Sequence, residues 1–214
     1  MDNFLKDNKP LIILEMANNH MGNISHGKKI IDKYFKIIKK YKNNLQFAIK
    51  FQFRDIKTYI HEDFLDKKDD KYVSRFFDTQ LNKSEWKKLI KHSKKKFLTI
   101  CTPFDEISVK KVIDYNFDFL KIASCSMDEW PLLEHIAKLA KQKKIIASLG
   151  GGDDQSIRNI ISFFSSKKRK LNAKFLYCVA KYPTEPENLN LSYFSHLKEI
   201  YGKKIMGFST HENT

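Results

Sequence analysis

No run in the chain approaches the roughly 18 consecutive apolar residues that a membrane-spanning helix needs. The opening MDNFLKDNKP also lacks an apolar core ahead of a small-residue cleavage site. A cytoplasmic location with no membrane partner is therefore expected. Cysteine is scarce. Cys101, Cys125 and Cys178 form an odd set without a CxxC pair, which argues against a disulfide framework and a structural zinc site and suits a reducing compartment. Nucleotide fingerprints are missing too: EMANNHMG, after the first apolar run, has no GxGxxG, and no GxxxxGK[ST] occurs anywhere. Nor does any RNA- or DNA-binding motif accompany the net charge of +15.

The positive charge has a simpler source. Lys28, Lys29, Lys33, Lys36, Lys39 and Lys40 interleave with an apolar helical face, and Lys83, Lys87, Lys88, Lys91, Lys94, Lys95 and Lys96 do the same further on. These are read as solvated helix faces, not as a nucleic-acid surface. With 42% hydrophobic residues the chain can bury a proper core.

That hydrophobic content is organised as seven short runs: LIILEMA, FAIKFQF, FLTIC, DFLKIA, KIIAS, KFLYCVA and KIMGF. Amphipathic stretches separate them, and the alternation calls for a parallel sheet with helices outside. Ser25 is a candidate cap for a helix carrying Ile30, Ile31, Tyr34, Phe35, Ile37, Ile38 and Tyr41 on one face. Asn82 or Ser84, Asp105, and Asp153 or Asp154 are candidate caps for later helices, and Pro131 suits a first helical turn. Residues 54–80 are charged and aromatic without a clear period and read as a long loop, with at most a short helix.

Every apolar run has polar residues at its carboxyl end: Glu15, Lys50 with Gln52, Thr102, Lys121 with Ser124, Ser148, Tyr182 and His211. Lys50 and Gln52 are two apart, so a strand puts them on the same side. Lys121 follows Phe119 and Leu120 and is costly to bury unless something anionic meets it. Chemistry at the carboxyl end of many strands is the habit of a TIM (β/α)8-type barrel. Seven strands are one short of eight, so residues 1–214 are expected to be a single α/β barrel domain, incomplete at the C-terminus.

In this order and spacing, IILEMANNHMG, AIKFQF, CTPFDE, DFLKIASCSMDEWPLLE, YCVAKYPTEPENLNL and GFSTH resemble the N-terminal barrel of the sialic acid synthase (N-acetylneuraminate synthase) family over nearly the whole chain. The resemblance implies condensation of phosphoenolpyruvate with an N-acetylated aldose such as N-acetylmannosamine, with release of phosphate. It also implies a divalent metal, manganese or magnesium, and a homodimer whose C-terminal antifreeze-like domain is absent from these residues. Lys50, Thr102, Lys121, Ser124, Ser148 and Tyr182 match phosphoenolpyruvate-binding positions, and Gln52 joins this substrate-binding set. Asn18, Asn19 and His20 match a loop that lines the sugar end. Glu15 matches the catalytic glutamate, able to exchange protons at the aldehyde oxygen. His211 matches one metal ligand, with a second histidine expected beyond Thr214.

Each assignment has a plainer counterpart. Glu15 could merely pair with Lys50 or Lys121, His20 could be a structural hydrogen-bonder, and the hydroxyls could be ordinary strand ends. Two departures from the family pattern mark a divergent subgroup: Ser148-Leu149-Gly150-Gly151-Gly152 replaces Ser-Thr-Gly, and SCSMDEW replaces a Ser-Gly-Glu-type continuation. The glycines are expected to let backbone approach a phosphate. A Schiff-base class I aldolase using Lys50 or Lys121, and an inactive or binding-only barrel, are the competing functions.

Overall fold

The computed structural model describes residues 4–5, 9–67, 69–167, 169 and 171–212. It divides into two compact units, Met1–Asp118 and Phe119–Thr214. The first carries β1 (Leu11–Glu15), α1 (Ile24–Ile38), β2 (Gln46–Phe53), α2 (Ile56–Tyr59), α3 (Lys71–Asp78), α4 (Lys83–Lys94), β3 (Leu98–Pro103) and α5 (Glu106–Asp114). The second carries β4 (Phe119–Ile122), α6 (Trp130–Leu139), β5 (Lys144–Ser148), α7 (Asp154–Ser165), β6 (Asn172–Cys178), α8 (Leu191–Tyr201) and β7 (Ile205–Ser209). All seven anticipated strands form. Their order follows the chain, β1-β2-β3 in one unit and β4-β5-β6-β7 in the other, and the paired neighbours are parallel.

In the first unit Glu15 pairs in register with Lys50, and Gln52 with Thr102. Side chains alternate along β2, so Ile49, Phe51 and Phe53 are buried while Lys50 and Gln52 are only half-buried. Phe51 and Phe53 pack edge-on to Trp86 of α4, at 6.0 and 4.8 Å between ring centroids, and both reach Phe117. The aromatic side of β2 therefore holds the helices, and the opposite side keeps its polar residues.

Helix starts follow local hydrogen-bond chemistry. Asn82 and Glu85 form a reciprocal capping box on α4, and Asp105 and Asp153 cap α5 and α7. The cap of α1 is Asn23, whose side chain accepts from the His26 amide, and not Ser25, which already lies inside the helix. Along α1 the buried stripe runs through Gly27, Ile31 and Ile38, while Ile37 stays exposed. Residues 54–80 are not one loop. They hold α2, a short 3-10 turn at Glu62–Phe64, and α3, whose cap Asp70 accepts from the amides of Tyr72 and Val73. No helix among the described residues is long and apolar enough to cross a membrane.

Candidate active site

Glu15 and Lys50 face each other across the β1–β2 ladder and form an ion pair, with Glu15 the more exposed partner. The other Glu15 oxygen, Oε1, accepts from the Ala17 amide at 2.9 Å. The carboxylate is thus fixed from two sides, so the expected pairing with Lys50 is present. Gln52 is the next residue on that face, and Thr102 lies beside it on β3. Thr102 is 2% exposed, and its Oγ1 has no hydrogen-bond partner among the described residues. Arg54 Nε is the other buried side-chain nitrogen or oxygen of this kind. Both orphans stand at carboxyl ends of neighbouring strands, where buried polar groups are normally satisfied.

The loop after β1 winds tightly, with the amides of Met16 and Ala17 both donating to the Lys50 carbonyl. Asn18 is half-buried and lines a cavity, while Asn19 is exposed. His20 points inward: it is 1% exposed, lies edge-on to Trp86 at 5.1 Å, and accepts from the Gly22 amide through Nδ1 at 3.2 Å. Burial lowers its pKa to about 4, with the nearby His26 adding a smaller push in the same direction. Packed this way, His20 is a neutral imidazole that accepts a backbone hydrogen bond.

In the second unit Lys121 is buried, and its Nζ donates to Ser148 Oγ at 2.5 Å and to the Ile122 carbonyl at 2.9 Å. Ser124 Oγ donates to Cys178 Sγ at 3.2 Å and accepts from the Gly150 amide at 3.3 Å. Cys178 thus orients Ser124, a role not visible in the sequence, where the two are 54 positions apart. The glycine run also serves packing. A Cβ on Gly150 would lie 2.8 Å from Ser124 Oγ and 2.9 Å from Cys178 Sγ, and one on Gly152 would lie 1.9 Å from Met127 Cε. Two of the three glycines therefore admit neighbouring side chains, whereas a Cβ on Gly151, at φ +79°, would meet nothing nearer than the Ala180 Cβ at 3.9 Å.

Tyr182, before a cis peptide bond to Pro183, is 69% exposed and its ring lies 4.1 Å from that of His211. The Thr184 amide donates to the His211 carbonyl at 2.7 Å, which ties the two segments together. A divalent cation needs several converging donors, and no three His, Cys, Asp or Glu side chains converge among the described residues. The described residues do not make a complete metal centre, and at this strand end His211 offers one imidazole.

Known proteins share this fold. The chain is 30% identical over 215 residues to the N,N'-diacetyllegionaminic acid synthase of Campylobacter jejuni, covering 95% of this chain and 61% of that protein. A solved structure from Chromobacterium violaceum, described as a spore coat polysaccharide biosynthesis protein E, superposes with a TM-score of 0.87 at 39% identity, covering 96% of this chain and 60% of that one. The N-acetylneuraminic acid synthetase of Leptospira borgpetersenii, solved with citrate, superposes at 0.79 with 29% identity, covering 96% and 66%. The chain thus spans about three fifths of the length of the relatives it matches, with the seven-strand α/β architecture expected of a TIM-type barrel. The NeuB family profile matches residues 37–214, and the chain belongs to that family.

Proposed function

We propose that this chain is the barrel part of a phosphoenolpyruvate-dependent synthase that condenses phosphoenolpyruvate with an N-acetylated aldose to give a sialic acid or related nonulosonic acid. The observation that carries this reading is Thr102 Oγ1, a fully buried hydroxyl without a partner among the described residues, beside Gln52 on the strand face that also bears Lys50 and Glu15. Leaving such a group unmet costs about 1–3 kcal/mol unless a ligand meets it. Phosphoenolpyruvate, with a phosphate and a carboxylate close together, needs cations and hydroxyl donors of this kind. The citrate held by the Leptospira relative is a compact polyanion too.

In the reaction the methylene carbon of phosphoenolpyruvate bonds to the aldehyde carbon, the aldehyde oxygen gains a proton, water adds to the neighbouring carbon that bears the phosphate and gives up a proton, and phosphate leaves. Glu15, held by Lys50 and the Ala17 amide, is the group suited to move the proton at the aldehyde oxygen. Lys50 and Thr102 supply charge and a hydroxyl to the anionic substrate, the role that the family resemblance also implies for Lys121, Ser124 and Ser148. Lys121 acts as a held cation with Ser148 as acceptor, not as an imine-forming nucleophile. The manganese or magnesium implied by the family resemblance has His211 as its one candidate ligand here, and no step is assigned to it.

The test is sugar-dependent phosphate release from phosphoenolpyruvate across a panel of N-acetylated hexoses, with manganese supplied. Lys121→Met is expected to lower turnover by about 100-fold, the worth of one or two charge-assisted hydrogen bonds. A lysine adduct trapped by borohydride would instead establish the aldolase chemistry. Absence of sugar-dependent release from a chain that carries all eight strands would leave a binding-only barrel.

A further inference from the structure

Ser124 follows β4, Gly150 follows β5 and Cys178 closes β6. Ser124 Oγ donates to Cys178 Sγ at 3.2 Å and accepts from the Gly150 amide at 3.3 Å. The three groups come together because residue 150 has no side chain: a Cβ there would lie 2.8 Å from the oxygen and 2.9 Å from the sulfur. Cys178 and Gly150 are buried, and Ser124 is half-buried.

A hydroxyl has one hydrogen and two lone pairs. With its hydrogen on the thiol and one lone pair on the amide, Ser124 has only a lone pair left for a ligand, and a lone pair repels an anion. The family resemblance gives this hydroxyl the opposite duty, donation to an anionic substrate. A thiol resolves the conflict, because it is both a weak acceptor and a weak donor. It holds the hydroxyl hydrogen loosely, and once that hydrogen turns outward the S–H can turn to the vacated lone pair. Both changes are rotations about single bonds with the heavy atoms in place, and no proton is transferred.

We infer that Cys178 is a positioning residue for Ser124: its thiol accepts from the hydroxyl in the free protein and donates to it when an anion takes the hydroxyl hydrogen. The inference rests on the proposed reading of Ser124 as a phosphoenolpyruvate contact.

Calorimetric titration with phosphoenolpyruvate, on a chain that carries all eight strands, compares two substitutions that separate hydrogen bonding from packing. Cys178→Val keeps an apolar group of similar size and removes both roles of the thiol, so it should weaken binding roughly fivefold, the worth of one neutral hydrogen bond. Cys178→Ser keeps a group that donates and accepts, and should bind within about twofold of the unaltered protein. A role in packing alone gives the reverse order, because it is the hydroxyl that suits a buried apolar position badly. With Ser124→Ala already in place, Cys178→Val should have no further effect. Infrared spectra of the unaltered protein give a readout that does not depend on a variant folding. On addition of phosphoenolpyruvate one S–H stretching band, the one that Cys178→Ser removes, should move to lower frequency and intensify, because donation weakens the S–H bond. An unmoved band, or binding weakened more by serine than by valine, overturns the inference and leaves the substrate reading standing. Failure to bind phosphoenolpyruvate at all overturns the substrate reading, and the inference falls with it.

Discussion

His20 is the residue whose environment most changes its chemistry. Packed against Trp86 and lowered to a pKa of about 4, it is neutral in the native state at any pH where an unfolded histidine, near 6.5, begins to charge. Between those values the unfolded chain holds a proton that the native chain does not, so acid favours unfolding. The stability that neutral His20 supports is fully present above about pH 6.5 and is lost as pH falls toward 4. Denaturant unfolding across that window should show a slope of about 1 kcal/mol per pH unit that His20→Asn, which keeps an acceptor for the Gly22 amide, removes. A slope unchanged in the variant would assign it to other groups. The local sequence AsnAsnHisMetGly gave no hint of this, because the burying group is Trp86, 66 positions on. Lys50 and Gln52 were legible from strand alternation. The same alternation extended one step further reaches Arg54, which went unmarked because the irregular stretch starts there.

Helix boundaries were legible where a single polar side chain decides them. Asn82, Asp105 and Asp153 each satisfy amides that the first helical turn leaves open. Asn82→Ala removes one half of the α4 capping box and should cost about 1 kcal/mol, seen as a drop of about 2–4 °C in melting temperature for a chain of this size. Ser84→Ala, inside the helix, should leave it nearly unchanged. What the sequence concealed was short or off-axis. α2 is a single turn and α3 spans eight residues, too little for a 3.6-residue period to emerge from charged and aromatic surroundings. In α1 Ile37 lies about 120° around the axis from Ile31, which is why it stays exposed despite its place in the apolar count.

Over the whole molecule, the expectation of thiols without disulfides translates into a count. Cys125 is exposed, Cys101 and Cys178 are buried, and burial pushes the Cys101 thiol well above its ordinary pKa. Ellman's reagent should therefore titrate one fast thiol in the native protein and three in denaturant. Two or more fast thiols would contradict the packing of the strand ends. The parallel strand–helix alternation was readable from seven apolar runs, because it depends only on local hydrophobic pattern. The positions of the unmet donors were not, because satisfaction of a polar atom depends on neighbours distant in sequence. Those donors have a thermal consequence. Protein without ligand should melt below the temperature its packing would allow, since the Thr102 hydroxyl has no partner among the described residues. Thr102→Val should raise the melting temperature of the free protein, reflecting about 1 kcal/mol, and at the same time shrink the further rise that saturating phosphoenolpyruvate produces. A pair of melting curves, without and with phosphoenolpyruvate, would then read opposite shifts from one atom.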